Sequence, residues 1–307
     1  AISWGYSSDN GVDIPSILIQ ISAISQLCSS KHATLPNAKE KPMSFKMCFK
    51  WLICTAACVT SALGVAQNPK QKQVKKTNWQ NLYQPTEFDG MPFRMMPPIQ
   101  IESGKKFPLI LSLHGAGGTG TNNNKQLRDW NKQLAVPHRR REFPCYVVAP
   151  QARGLWNSEH LKKIQSYIKT LPSVDMDRVY IMGHSMGGHG TYIFIQLAPD
   201  YFAAAAPSAG SGLRRTESFI DASKIKDIPI WAFHGDKDKT CPIEKDRDVF
   251  TKIKNMGGIM KLTTWAGGTH AVSEKMIPGA ENGTTESSSE RCNDATDFMT
   301  WLFSNTK

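Results

Sequence analysis

The 307-residue chain is long enough to bury a full core, and its 40% hydrophobic and 21% charged content is that of an ordinary globular protein. Its balance is strongly basic, with a net charge of +11. Nucleic-acid binding would call for basic residues interleaved with aromatics on one face, or a known module; neither is present, so no nucleic-acid partner is expected.

Blocks such as Lys70–Lys76 and His138-Arg139-Arg140-Arg141 read as solvated basic surface. Residues 1–42 carry no recognisable pattern and are read as an upstream extension. Met47-Cys48-Phe49-Lys50 then leads into the apolar and small-residue run Trp51–Ala66. A short basic region, an apolar stretch of about 15 residues and small residues at Gly64 and Ala66 match a secretory signal cleaved near Ala66. The run is too short, and too interrupted by Thr and Ser, for a stable membrane span. Residues 43–66 are thus expected to be a signal peptide, which makes the remainder secreted or periplasmic. A lipoprotein reading through Cys58 fits poorly, because Thr55 stands where an aliphatic residue is wanted. Beyond the leader only Cys145, Cys241 and Cys292 remain. That is too few for a disulfide scaffold; at most one bridge can form, and the sequence does not identify its partners.

Residues 67–82, rich in Lys, Gln and Asn, read as a polar linker, and 83–307 as one catalytic domain. From there strand-like and helix-like segments alternate, which points to an α/β fold with a mostly parallel sheet. The strand candidates are Phe107–Leu113, Cys145–Ala149, Arg178–Met182, Phe202–Ala206, Ile228–Phe233 and Met260–Trp265. Their continuous apolar runs suit strands covered on both faces. Leu161–Leu171 and Pro242–Met256 carry helical periodicity, the second stopped by Gly257, and a last helix is expected near Asp294–Phe303. The polar stretch Gly279–Asn293 looks like an insertion before it.

The chemistry concentrates where these strands end. Arg178–Met182 runs into Gly183-His184-Ser185-Met186-Gly187-Gly188, a strand, a Gly-x-Ser-x-Gly turn and a helix start. The glycines allow the tight turn, which lifts the Ser185 hydroxyl over a helix N-terminus. A nucleophilic serine needs a base, and the base an orienting acid. His270 follows the strand Met260–Trp265 and is the candidate base. After Ile228–Phe233, the loop His234-Gly235-Asp236-Lys237-Asp238 offers two acids, of which Asp238 is favoured over Asp236. His184, His189 and His234 read as neighbours, with His234 ordering the acid loop. The glycine-rich loop His114-Gly115-Ala116-Gly117-Gly118 lets backbone N–H groups approach a substrate oxygen, so Ala116 and Met186 are the candidate oxyanion donors. The loop lacks the Lys-Ser/Thr ending of a phosphate loop and the acidic residue of a dinucleotide site. No metal or cofactor is called for.

These four motifs in this order resemble the bacterial carboxylesterase families of the α/β-hydrolase superfamily. The nearest members are phospholipase/carboxylesterases and polyhydroxybutyrate-depolymerase or feruloyl-esterase-like enzymes. The resemblance covers roughly residues 85–307 and implies helices on both faces of the sheet. By position it implies Ser185 as nucleophile, His270 as base, Asp238 as acid, and a pocket touched by His114, Trp156 and His184. Trp156 could equally cap the core. One departure is Ala271-Val272-Ser273-Glu274 after the histidine, where an aromatic residue is usual.

The implied activity is hydrolysis of a carboxylic ester through an acyl-enzyme. The connection between the strands at 202–206 and 228–233 is too short for a large cap domain. An open site and secretion suit a bulky ester such as an acylated polysaccharide or polyester. Two rivals share the fold: a prolyl-oligopeptidase-like serine peptidase and a non-catalytic binding protein.

Overall fold

Successive residues of the central strands feed two separate cores, as side chains of a pleated strand must. In β3 (Phe107–Leu113), Leu109, Leu111 and Leu113 face one hydrophobic cluster and Ile110 the other. The same alternation recurs in β4 (Tyr146–Pro150), β5 (Val174–His184) and β7 (Ile230–Gly235). Strands buried on both faces cannot alternate apolar with polar, which is why they read as unbroken apolar runs.

The computed structural model describes residues 78–211 and 219–307. The expected extension, secretory leader and all but the end of the linker lie outside the described residues. Within them a nine-stranded sheet has the order β1-β2-β4-β3-β5-β6-β7-β8-β9. β4, β3, β5, β6 (Ala204–Ser208), β7 and β8 (Met260–Trp265) are parallel neighbours. Antiparallel strands finish both edges: β1 (Gln84–Phe88) and β2 (Met91–Met96) beyond β4, and β9 (Thr284–Ser287) beyond β8. β9 lies inside the stretch read from sequence as a polar insertion. Its residues are mostly exposed, so burial left no apolar signal there.

Helices cover both faces, the arrangement of an α/β-hydrolase. On one side lie α3 (Ser158–Thr170), α4 (Met186–Leu197) and α6 (Glu244–Asn255). On the other are α1 (Asp129–Leu134) and α7 (Phe298–Phe303). Two shorter helices, α2 (Pro137–Glu142) and α5 (Ala222–Ile225), complete the described set. α1 docks through Ser112 on β3, whose hydroxyl oxygen accepts from Trp130 Nε1 at 2.8 Å and Asn131 Nδ2 at 3.0 Å. α7 starts at Asp297, which caps it by accepting from the Thr300 N–H at 2.7 Å. It then drives Phe298 and Trp301 against Trp231 and Phe233 of β7. Cys145, Cys241 and Cys292 are buried and free, so the one bridge allowed by composition is not formed.

Trp301 is almost fully buried and meets Trp231 edge-on at 5.3 Å. Trp301→Ala should therefore lower the unfolding free energy by about 3–5 kcal/mol, the usual loss for a large buried aromatic. A urea titration tests this: the midpoint should fall with the slope unchanged.

Candidate active site

Four strand ends on the C-terminal edge of the sheet deliver the site, which is where open α/β sheets place their ligands. β5 supplies Ser185. Its backbone is bent into a left-handed conformation, φ 57° and ψ −121°, that few non-glycine residues adopt. The turn closes because neighbouring backbone comes very near. A Cβ on Gly187 would lie 2.1 Å from the Leu113 carbonyl oxygen, and one on Gly183 would lie 2.5 Å from that of Gly187. The Ser185 N–H donates to the Ser208 carbonyl on β6 at 2.9 Å, tying the turn to the strand beside it.

The loops after β7 and β8 converge on the hydroxyl. His270 Nε2 lies 2.8 Å from Ser185 Oγ, and its Nδ1 lies 2.7 Å from Asp238 Oδ2. The imidazole is about a quarter exposed, whereas the Asp238 side chain is wholly buried. Asp238 Oδ1 accepts from the N–H groups of Thr240 at 2.8 Å and Cys241 at 2.9 Å. Burial alone would raise its pKa; His234, those N–H groups and His270 outweigh that and hold it well below the usual carboxylate range. Asp236 is engaged elsewhere, accepting from the Gly267 N–H at 2.7 Å in the turn that leads to His270.

On the opposite side, the glycine-rich loop leaves β3 and winds into a 3-10 turn, Ala116–Gly118. A Cβ on Gly115 would stand 3.1 Å from the His184 carbonyl and 3.5 Å from Ser185 Cβ, so the loop passes directly beside the serine. Ala116 opens this turn and Met186 opens α4, positions whose N–H groups have no partner within their own helix.

Of the three residues assigned to the pocket, only His184 lines it. Its Nδ1 lies 3.0 Å from Ser208 Oγ, its ring packs 4.8 Å from that of His270, and burial pushes its pKa down to about 3. His114 is fully buried beneath the oxyanion loop. Its Nε2 accepts from the Ala152 N–H at 3.0 Å and its Nδ1 faces the Gly115 carbonyl at 2.7 Å, the pattern of a neutral ring. Burial pushes it down to about 4. Trp156 donates to the His114 carbonyl at 3.2 Å and packs over Gly190, where a Cβ would come within 2.4 Å of the indole. It braces the loop from within the core and does not reach the cavity.

The cavity over Ser185 has a volume of about 1100 Å³. Its walls include residues that sequence reasoning did not assign: Arg128, Asp129, Trp130, Lys237, Lys239 and Glu274. The two lysines flank Asp238 in the acid loop, and no motif marked them. The α1 residues sit in a short helix without a periodic pattern to announce it. Among the described residues no cluster of three His, Cys, Asp or Glu side chains is arranged to hold a metal, and no helix is long and apolar enough to cross a membrane.

The profile of the Dienelactone hydrolase family matches residues 148–303, just over half of the chain. The chain is 24% identical over 223 residues to the uncharacterized peptidase YuxL of Bacillus subtilis, covering 60% of this chain and 34% of that protein. It is 27% identical over 126 residues to poly(3-hydroxyalkanoate) depolymerase C of Paucimonas lemoignei, covering 38% of this chain and 30% of that protein. A thermostable esterase of known structure superposes with a TM-score of 0.60 at 28% identity, covering 74% of this chain and 64% of that one. The chain thus spans about a third of the length of these two curated relatives.

The 2.1 Å approach at Gly187 generates a prediction, because the atom in the way is backbone and cannot swing aside. Gly187→Ala should lower stability by about 1–3 kcal/mol or more, as overpacking does. Denaturant unfolding beside wild type measures it.

Proposed function

The chain belongs to the dienelactone hydrolase family, and from that premise we propose that it is a serine carboxylic-ester hydrolase working through Ser185, His270 and Asp238. The observation that carries the proposal is the single imidazole, His270, within hydrogen-bond reach of the Ser185 hydroxyl at 2.8 Å and the Asp238 carboxylate at 2.7 Å. A base that is itself oriented by an acid is what an unactivated hydroxyl needs to attack a carbonyl.

In the proposed cycle His270 Nε2 takes the Ser185 proton as Oγ bonds to the ester carbon. Asp238 steadies the imidazolium that results. The carbonyl oxygen, now negative, is held by the N–H groups of Ala116 and Met186. His270 returns its proton to the departing alcohol, leaving an acyl group on Ser185. Water then attacks the acyl-enzyme by the same route, giving the carboxylic acid and free Ser185.

The cavity volume of about 1100 Å³ supports a bulky substrate, and we assign an acylated polysaccharide or a polyester as its class. The similarity to a poly(3-hydroxyalkanoate) depolymerase supports the second of these. We further propose that residues 43–66 are removed on export and that 83–307 form the catalytic domain. The resemblance to YuxL favours a peptidase as the second reading.

Ser185→Ala is expected to reduce hydrolysis of p-nitrophenyl acetate by about 10⁴-fold or more, and Asp238→Asn by about 10⁴-fold. A fluorophosphonate should add covalently to wild type and not to Ser185→Ala, as seen by intact mass. Wild type that neither turns over the ester nor takes up the probe would refute the triad. Faster turnover of peptide than of ester substrates would favour the peptidase.

A further inference from the structure

Behind the triad lies a histidine that the acyl-transfer steps leave unused. His234, at the end of β7, is fully buried, and both of its ring nitrogens face acceptors. Nε2 lies 2.7 Å from the Cys241 carbonyl oxygen and 3.3 Å from Asp238 Oδ2. A carbonyl oxygen has no proton to give, so Nε2 must carry one. Nδ1 meets Asp246 Oδ2 on α6 in a short hydrogen bond. The other oxygen of Asp246 accepts from the Tyr192 hydroxyl at 2.8 Å, and with Asp246 as a carboxylate Nδ1 donates to it. A ring whose two nitrogens both donate is an imidazolium.

We infer that His234 is a positioning residue, a buried imidazolium clamped between Asp246 and Asp238 that keeps Asp238 ionised and aimed at His270. The role assigned to Asp238 rests on the triad reading; the charge on His234 does not. The groups facing the ring are Asp246 from α6, with Tyr192 of α4 behind it, and Asp238 and Cys241 from the acid loop. His184 and His270 stand on the cavity side of Asp238. Without a cation among them, two dry carboxylates would compete for a proton, and a protonated Asp238 could not support a charged His270.

The sign of the linkage follows from this geometry. Burial opposes the charge on His234, but the bonds to Asp238 and Asp246 override it and push its pKa up to about 10. A group raised above its unfolded value, about 6.5 for histidine, contributes its full stability below that value. The contribution is lost as the pH rises toward 10. His234→Gln should thus lag wild type in melting temperature most at pH 6, and the gap should close toward pH 10.

The decisive measurement is ¹⁵N–¹H spectroscopy of the histidine rings in the full chain. One ring, absent from His234→Gln, should keep both nitrogens protonated at pH 8. In kinetics with p-nitrophenyl acetate, His234→Gln should lower kcat by about 10–100-fold, the loss of one charge-assisted contact, with KM within about twofold. The acid limb of kcat/KM should move up, because without the neighbouring cation Asp238 takes up a proton at higher pH and no longer supports the base. Removing both charges, in His234→Gln with Asp246→Asn, should return the limb toward wild type. A neutral His234 ring at pH 7, or a variant with the wild-type pH profile, overturns the inference. A charged His234 in a protein inert to esters would uphold the charge assignment and sink the triad reading alone.

Discussion

The strained backbone at Ser185 is the constraint on which the remaining geometry depends. A non-glycine residue at φ 57° and ψ −121° costs of order 1–3 kcal/mol and persists only where its surroundings over-determine it. Here the determination comes from three strands. β3 presents the Leu113 carbonyl to the space above Gly187, β5 carries the serine itself, and β6 accepts its N–H through Ser208. The turn cannot relax without disturbing the register of a sheet whose strands are buried on both faces. The parallel sheet is thus more than a platform, since its packing energy holds one hydroxyl in a half-buried, oriented position.

A second layer of the design is electrical. Histidines around the site are driven into different states by what their nitrogens meet. His114 must stay neutral, because the Ala152 N–H points at its Nε2 and a proton there would break the brace beneath the oxyanion loop. His184 is held neutral by burial beside the His270 ring, so the candidate base does not share its cavity wall with a second cation. His234 meets only acceptors and takes the opposite state. From the core outward the order is Tyr192, Asp246, His234, Asp238, His270 and Ser185, a series in which each carboxylate lies between two donor groups.

Which parts of this were legible in the sequence follows from what each part is made of. The parallel strands announced themselves as apolar runs because both faces are buried. Several extend one or two residues past the expected ends, however, through Pro207-Ser208, His234-Gly235 and Gly183-His184. Those residues are polar or turn-forming because they belong to the site as well as to the sheet. The edge strands β1 and β9 were not legible, since an exposed edge needs no continuous apolar signal, and in β2, which lies between β1 and β4, Pro92 and Arg94 interrupt the apolar run. Ser185, His270 and the acid loop stood out by order alone, and His234 was seen as ordering that loop without any sign of its charge. Spacing does not show whether a side chain lines a cavity or supports its wall, so His114 and Trp156 were assigned to the pocket although both are buried beneath it.

The cavity walls obey a different logic from the proposed triad. Ser185, Asp238 and His270 sit just past strand ends, fixed by the sheet, whereas Arg128, Asp129, Glu274 and the lysines come from a short helix and loops. One contact joins α1 to the segment that carries Glu274: Gln133 Nε2 donates to the Glu274 carbonyl at 2.5 Å. It joins two segments 141 positions apart in the chain, neither of which carries a reacting group. That bond is exposed and polar, whereas the turn at Ser185 is held by close backbone contacts with β3 and β6. Substitution at the rim can reshape what enters without disturbing the strained turn. For that reason the choice of substrate rests with the loosely held segments of the wall, and the proposed reaction with the most constrained turn.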